Sequence, residues 1–241
     1  MALNSKNVLL YDPTSTYEVE TQDLEYRNVD GISLGATVYQ PQGSGPFPLL
    51  IDIHGGGWTR YERKRDASID TELASHGIVV AALDFRSNGT APHPAGLQDI
   101  NYGIRWFKAH AGEFQASPEC VGAIGYSSGG HLVMMSGLRP THTTYVTGDV
   151  GDPNVDATLG YVIPCGCFFD MVQTLASIRK GEVDFFDTYN YFGGMEGVLS
   201  VSPQHLLDSG AEITLTPTLL IQAGADDIIG GMPKDAAKFS L

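Results

Sequence analysis

The feature that most constrains the fold of this chain is a glycine-flanked serine between an apolar run and a helix-like run. Residues Cys120–Ile124 precede the sequence Gly-Tyr-Ser-Ser-Gly at 125–129, and residues 132–138 continue it with helical character. Glycine two positions before and after Ser127 indicates a turn too tight for side chains at those positions. Such a junction lifts the Ser127 hydroxyl above a sheet edge, where a base can reach it. The pattern therefore predicts a reactive serine on an α/β scaffold.

A second glycine-rich segment supports the same interpretation. The apolar run 49–53 predicts a buried strand, and His54-Gly55-Gly56-Gly57 follows it directly. Consecutive glycines leave backbone N–H groups free to face a ligand, and sites of open α/β sheets lie at the carboxyl ends of strands. We therefore predict that the N–H groups of Gly56, Gly57 and Ser128 surround a developing oxyanion. His54 is expected to brace this loop rather than transfer protons.

Length and charge restrict the class of protein. The 241 residues are 42% hydrophobic and 17% charged, which is typical of a globular chain with a well-buried core. We predict one domain over 1–241. The formal net charge of −14 repels phosphate backbones and anionic membranes, so nucleic acid is not an expected partner.

Cysteine usage and the N-terminal residues point away from secretion. Cys120, Cys165 and Cys167 do not make a disulfide framework, and no His/Cys cluster accompanies the close pair to suit zinc. We expect reduced thiols, no metal and no organic cofactor. Residues 1–13 lack the apolar core of a signal peptide, and no stretch approaches the ~18 apolar residues of a membrane span. A cytoplasmic protein without a membrane span is predicted.

Apolar runs alternate with helical patterns along most of the chain. Residues 1–16 are predicted to be a loosely ordered arm, and Asp30-Gly31 predicts a hairpin turn between the first two strands. Strands are predicted at 17–28, 33–39, 49–53, 78–83, 120–124, 157–163 and 218–222, and helices at 66–76 and 96–110. This alternation predicts a mostly parallel central sheet flanked by helices, with right-handed crossovers.

The segment 165–210 departs from this alternation and is rich in aromatic residues. It is too long for a simple connection, so we predict a cap-like helical insertion over the carboxyl edge of the sheet. Its aromatic side chains could line a substrate pocket or serve only as packing. They are Phe168, Phe169, Phe185, Phe186, Tyr189, Tyr191 and Phe192.

The glycine loop followed by the serine turn resembles the α/β-hydrolase superfamily, and within it the acetyl-esterase and hormone-sensitive-lipase-like carboxylesterases. Residues 84–86, 91–94, 191–194 and 217–227 also fit that pattern, so the similarity extends from about Tyr17 to the last residue. The turn reads Gly-Tyr-Ser-Ser-Gly, whereas Gly-Asp-Ser-Ala-Gly is common among the lipase-like members. The resemblance implies an acyl-transfer mechanism with Ser127 as the nucleophile.

The resemblance also implies a carboxylate that orients the catalytic base. Counting along the segment from Pro217 matches Asp226 to this position, and the adjacent Asp227 is the close alternative. Asp170, just past an earlier strand, is a weaker alternative; it is considered because the mechanism requires an acid behind the catalytic base.

The base itself is missing at the expected place. In this superfamily the order is serine, acid, histidine, and no histidine follows Asp226 within the 241 residues. Residues 232–241 are predicted to begin a helix, and the chain is interpreted as stopping one helix and one strand early, before the catalytic histidine. His205 could replace the missing base, because it follows Ser127 and Asp170 in the chain, but it is the weaker interpretation. His131 is expected to pack or hydrogen-bond locally. The other four, at 76, 93, 110 and 142, have surface-like sequence surroundings.

Together these features predict a serine carboxylic-ester hydrolase that cleaves small to medium acyl esters through an acyl-enzyme. Its partner is a small-molecule ester, and a homodimer is possible. The alternative is a non-catalytic protein that binds small molecules on a hydrolase scaffold, because the base is missing. A peptidase is a third possibility that the sequence does not separate from an esterase.

Overall fold

A six-stranded, mostly parallel sheet forms the centre of the molecule. The computed structural model describes residues 14–59, 62–179 and 188–222. The strands are β1 (Val19–Val29), β2 (Ile32–Pro41), β3 (Phe47–Ile53), β4 (Val79–Leu83), β5 (Ala116–Tyr126) and β6 (Tyr161–Cys165). Their order across the sheet is β1-β2-β4-β3-β5-β6. Pairs β1–β2 and β2–β4 are antiparallel, and the remaining three pairs are parallel.

Helices connect the parallel strands and cover both faces of the sheet. They are α1 (Ala67–Ser75), α2 (Ala95–Ala109), α3 (Ser128–Leu138), α4 (Met171–Arg179), α5 (Thr188–Tyr191), α6 (Met195–Ser200) and α7 (Pro203–Asp208). Short 3-10 helices occupy Arg63–Asp66 and Ala111–Phe114. Within the described ranges, no helix combines the length and apolar character needed to cross a membrane.

Side-chain alternation along β3 divides the core into two layers. Leu49, Ile51 and Ile53 belong to the larger apolar cluster, which includes the buried residues of α2 and α3. Leu50 belongs to the smaller cluster, with Ala74 of α1. Because successive strand residues point to opposite faces, Asp52 lies on the α1 face. A carboxyl group is therefore buried in an otherwise apolar layer.

The prediction of a mostly parallel α/β sheet is confirmed, and most element positions agree within a few residues. Asp30 (φ 53°) and Gly31 (φ 81°) form the predicted hairpin turn, with the paired positive φ values of a type I′ turn. The predicted strand 157–163 is displaced, because ladder pairing with β5 begins only at Tyr161 and continues to Cys165.

The predicted strand at 218–222 is present only as two isolated parallel bridges to β6, at Thr218 and Ile221. Residues on the outer face of this segment, Leu219 and Ile221, are exposed. The arm at 1–13, the helix predicted at 232–241, and Phe185 and Phe186 lie outside the described residues.

Helices α4 to α7 occupy the segment 165–210, for which a cap-like insertion remains a prediction. Phe168, Phe169 and Phe192 are each 2% exposed and join the main core cluster, as does Tyr191. Tyr189 is the exposed member among the described aromatic residues. Most of these rings therefore serve as packing rather than as an open pocket lining.

Candidate active site

Ser127 lies at a strained turn between the end of β5 and the start of α3. Its φ of 54° and ψ of −119° are unfavourable for a non-glycine residue and cost about 1–3 kcal/mol. A Cβ on Gly125 would lie 2.6 Å from the carbonyl carbon of Gly129, and one on Gly129 would collide with the backbone oxygen of Ile53. Both flanking glycines are therefore required by close backbone approach, as the sequence pattern indicates.

Backbone hydrogen bonds hold the strained turn in place. The Ser127 N–H donates to the Cys165 carbonyl oxygen at 2.8 Å, which ties the turn to the end of β6. The His131 N–H donates to the Ser127 carbonyl oxygen at 3.1 Å and closes the first turn of α3. Ser127 itself is half-buried, while Ser128 is 2% exposed. The serine thus stands at the helix N-terminus, where N–H groups face outward.

The glycine loop packs directly against the serine turn. A Cβ built on Gly55 would lie 2.8 Å from the Tyr126 carbonyl oxygen and 3.4 Å from the Ser127 Cβ. Gly56 and Gly57 both have positive φ, 122° and 64°. The structure therefore brings the two glycine-rich segments together at the carboxyl ends of β3 and β5. Backbone N–H groups from both segments can converge on a developing negative charge there.

His54 is held at the base of this loop. Its ring stacks on Phe85 with ring centroids 4.5 Å apart, and its Nδ1 lies 2.7 Å from the Gly55 carbonyl oxygen. Burial lowers the pKa of His54, although the Gly55 carbonyl and nearby carboxylates oppose this shift. These contacts agree with the bracing role expected for His54.

A second histidine connects the glycine loop with α3. The Trp58 Nε1–H donates to His131 Nδ1 at 3.3 Å, and His131 Nε2 lies 2.7 Å from the Val201 carbonyl oxygen. His131 is packed as expected, at 0% exposure, but its side-chain hydrogen bonds reach residues about 70 positions away in sequence rather than local ones. No local sequence pattern indicates the pairing of Trp58 with His131, since the two residues are 73 positions apart.

The remaining histidines are engaged elsewhere. His93 was expected at the surface, but its ring packs against Tyr145 and Phe192, and burial lowers its pKa to about 4. His205 lies in the first turn of α7, where its backbone N–H approaches the Ser202 hydroxyl at 3.5 Å. All seven histidines fall within the described ranges, and none of their rings hydrogen-bonds to the Ser127 hydroxyl there.

Two of the three candidate acids, Asp226 and Asp227, lie outside the described residues. The third, Asp170, precedes α4, where its Oδ1 accepts the Gln173 N–H at 2.9 Å. Its backbone oxygen accepts from the Thr174 hydroxyl at 2.8 Å. Asp170 therefore acts as the N-terminal cap of α4.

Three carboxyl groups cluster behind the glycine loop, on the α1 face of the sheet; two of them are buried, and Asp66 is half-buried. Asp52 and Asp70 are each 1% exposed, and both oxygens of Asp52 have no hydrogen-bond partner within the described ranges. Burial and the neighbouring carboxyls raise the pKa of Asp52 and raise that of Asp70 to about 7. Burial also raises the pKa of Asp66. The raised pKa values favour the protonated forms of these carboxyls, and no sequence pattern indicates the cluster.

The cysteines are free thiols, as expected. Burial raises the pKa of Cys165 to about 11, so this thiol next to the serine turn stays protonated at neutral pH. Across residues 14–59, 62–179 and 188–222, no group of three or more His, Cys, Asp or Glu side chains has metal-binding geometry.

The sheet order, the strained serine turn and the adjoining glycine loop define an α/β-hydrolase fold with a serine-centred site. Solved structures support this class. An esterase of Thermogutta terrifontis, Est2 with bound propionate, covers 93% of each chain with a TM-score of 0.61 and 18% identity. A truncated carbohydrate esterase from gut microbiota covers 93% of this chain and 84% of its own, with a TM-score of 0.69 and 23% identity.

The BD-FAE family model matches residues 37–229, and the chain belongs to this family. Among Mycobacterium tuberculosis proteins, the carboxylic ester hydrolase LipN is 34% identical over 122 residues, covering 50% of this chain and 32% of LipN. The probable carboxylic ester hydrolase LipM is 28% identical over 120 residues, covering 49% and 28%. The chain thus spans about a third of the length of these curated relatives.

Proposed function

We propose that this protein is a serine carboxylic-ester hydrolase that acts on small to medium acyl esters. The observation that carries the proposal is the contact between the strained Ser127 turn and the Gly55–Gly57 loop. A nucleophile next to a set of main-chain N–H donors is the arrangement that acyl transfer requires. The names of LipM and LipN support the same reaction.

In the proposed mechanism, the Ser127 hydroxyl oxygen attacks the ester carbonyl carbon as its proton passes to a base. The N–H groups of Gly56, Gly57 and Ser128 donate to the resulting oxyanion. Collapse of this intermediate expels the alcohol and leaves an acyl-enzyme on Ser127, which water then hydrolyses. Asp226 is the proposed orienting acid. Within the described residues, no histidine ring hydrogen-bonds to the Ser127 hydroxyl, so the proposal assigns proton transfer to none of the seven histidines.

The proposed substrates carry short or medium acyl groups. Phe168 and Phe192 are packed in the core, so among the described residues these two rings do not line a long apolar channel for an acyl chain. Est2 structures with propionate and with butyrate bound agree with small acyl groups. Homodimerisation and a cytoplasmic location remain predictions, as does the absence of a cofactor.

The proposal is tested on the full-length gene product with a fluorophosphonate probe and a series of chromogenic esters from acetate to octanoate. Ser127→Ala is expected to abolish labelling and to lower kcat by about 10⁴–10⁶-fold, because the nucleophile is lost. Ser136→Ala is the matched control. It removes a buried hydroxyl of the same helix, which within the described residues donates to the Leu132 carbonyl oxygen at 2.9 Å. Equal labelling of Ser127→Ala and wild type would show that the nucleophile is wrongly assigned.

The alternative of a non-catalytic binding protein makes a different prediction in the same assay. It predicts no ester turnover and no probe labelling in the wild-type protein, with saturable binding of an ester measured by calorimetry. No contact in the described residues favours that alternative over hydrolysis.

A further inference from the structure

Trp58 is placed to control the conformation of the glycine loop. It has a φ of 61°, and it continues the run of positive φ values at Gly56 and Gly57. The Thr59 N–H donates to the Gly56 carbonyl oxygen at 3.2 Å, so residues 56–59 form one turn. The Asn88 N–H donates to the Trp58 carbonyl oxygen at 2.9 Å. The orientation of the Gly56 and Gly57 N–H groups therefore depends on the backbone conformation at Trp58, at the end of this turn.

The Trp58 ring is an anchor in the core rather than a surface group. It is 2% exposed, and its centroid lies 5.3 Å from Phe168 and 5.4 Å from Phe192. A left-handed conformation at a bulky residue persists only where its surroundings impose it. The packing of Trp58, together with the bond of its indole N–H to His131, supplies that constraint.

The hydrogen-bond roles of His131 follow from its partners. Indole has a donor and no acceptor, so His131 Nδ1 must accept from Trp58. The proton of the neutral ring is then on Nε2, which donates to the Val201 carbonyl oxygen at 2.7 Å. His131 is completely buried and its pKa is lowered to about 4, mainly by burial, which keeps the ring neutral. The protonated ring could not accept from Trp58.

His131 also belongs to the helix that begins at the nucleophile. Its backbone N–H donates to the Ser127 carbonyl oxygen at 3.1 Å, while its ring hydrogen-bonds to the Trp58 indole N–H and to the Val201 carbonyl oxygen. One residue thus links the serine turn, the glycine loop and the loop after α6. The distances between the proposed oxyanion donors and Ser127 depend on this link.

We infer that His131 is a positioning residue that, through Trp58, aims the N–H groups of Gly56 and Gly57 at the oxyanion formed on attack by Ser127. The inference rests on the proposed ester hydrolysis. Because the oxyanion forms only in the transition state, loss of this alignment lowers kcat and leaves KM nearly unchanged. A purely structural role for His131 would lower stability without this separation of kcat from KM.

Two amide substitutions separate the bonds that His131 makes. His131→Asn places its amide oxygen near the Nδ1 position, and so retains an acceptor for Trp58 while losing the donor to Val201. His131→Gln places its amide nitrogen near the Nε2 position, and so retains the donor to Val201 while losing the acceptor. We expect the kcat of His131→Asn to stay within about threefold of wild type. For His131→Gln we expect kcat to fall about 10–100-fold. This fall is smaller than the ~10²–10³-fold loss that follows deletion of an oxyanion donor, because the N–H groups are misaligned rather than removed.

Two further variants complete the experiment. Trp58→Phe deletes the indole donor while keeping an aromatic ring, and it should lower kcat to the same extent as His131→Gln. In the double variant Trp58→Phe/His131→Gln the two decreases should not multiply, because both changes remove one link. Ser136→Ala, on the same helix, is the control for a loss of stability without loss of kcat.

All variants are assayed with one short-chain ester at a temperature well below their measured unfolding midpoints. Equal kcat values for His131→Asn and His131→Gln, at similar unfolding midpoints, would overturn the positioning role. A matched rise in KM in place of the fall in kcat would overturn it as well. Absence of turnover in the wild-type protein would instead refute the proposed function, so the two failures are distinguishable. If His131→Gln does not fold, Trp58→Phe alone decides the outcome. A lower kcat at unchanged KM supports the positioning role, and any other result overturns it.

Discussion

Replacement of Asp70 by asparagine should remove much of the dependence of stability on pH. Asp70 lies on α1 and is 1% exposed, and its Oδ2 has no hydrogen-bond partner in the described part of the chain. It faces Asp52 of β3 and Asp66 at the start of α1. Burial, and then the charge of Asp66, raises its pKa to about 7.

The sign of the effect follows from linkage. The unfolded chain releases the Asp70 proton near pH ~4, whereas the folded chain retains it to about pH 7. The contribution to folding is therefore fully present below pH ~4 and is lost as the pH rises from ~4 through 7. A displacement of about 3 pKa units at about 1.4 kcal/mol each gives a loss on the order of 4 kcal/mol at pH 8.

The assay is equilibrium unfolding in guanidinium chloride, followed by circular dichroism between pH 4 and pH 8. Guanidinium chloride screens the surface charges, so the net charge of −14 contributes little to the slope. We expect Asp70→Asn to be close to wild type at pH 4 and more stable by a few kcal/mol at pH 8. Glu72→Gln is the matched control, because Glu72 is an exposed carboxylate of the same helix.

Parallel stability curves for wild type and Asp70→Asn across this pH range would refute the reasoning. That result would mean that Asp70 is ionised in the folded protein, with a partner or solvent that neutralises its burial. A pH-dependent difference of the same size in Glu72→Gln would also contradict it, since the effect would then not depend on burial.

Two further predictions concern backbone approach and a buried ion pair. Gly55→Ala should lower kcat at least about tenfold, because its Cβ would lie 2.8 Å from the backbone oxygen preceding the serine. Gly112→Ala, where a Cβ meets nothing within 4 Å, should leave ester hydrolysis unchanged. Asp99→Asn should cost about 3–5 kcal/mol of unfolding free energy, measured by denaturant titration, because Arg27 and Arg86 lose their buried carboxylate partner. A cost below about 1 kcal/mol would mean that these guanidinium groups find other partners.

Much of the fold and the centre of the site could be predicted from local sequence. The Asp30-Gly31 turn and the Gly125/Gly129 pair depend on backbone conformations that few other residues adopt, so their sequence signals are specific. Strands such as β4 are short apolar runs bounded by breaks, and periodicity locates them well. The segment 218–222 was less predictable, because two bridges to β6 depend on a neighbouring strand rather than on its own residues.

Side-chain partners far apart in sequence could not be predicted. Trp58 and His131 are 73 residues apart, and no local pattern indicates that they share a hydrogen bond. In the same way, Asp52 reads as one polar residue in an apolar strand, and only the packing of α1 places it next to Asp70. Burial and pairing of polar groups are properties of the assembled core, because they depend on which elements meet.

Short-range steric and periodic rules encode the serine turn, the glycine loop and the α/β class, so the residues alone are enough to predict them. That the loop touches the turn, that His131 links them, and that carboxyl groups with raised pKa values lie behind them follows only from how the elements pack. Those properties arise where β3, β5 and α1 come together, and the free energy of burying a polar group is set by all of its neighbours at once.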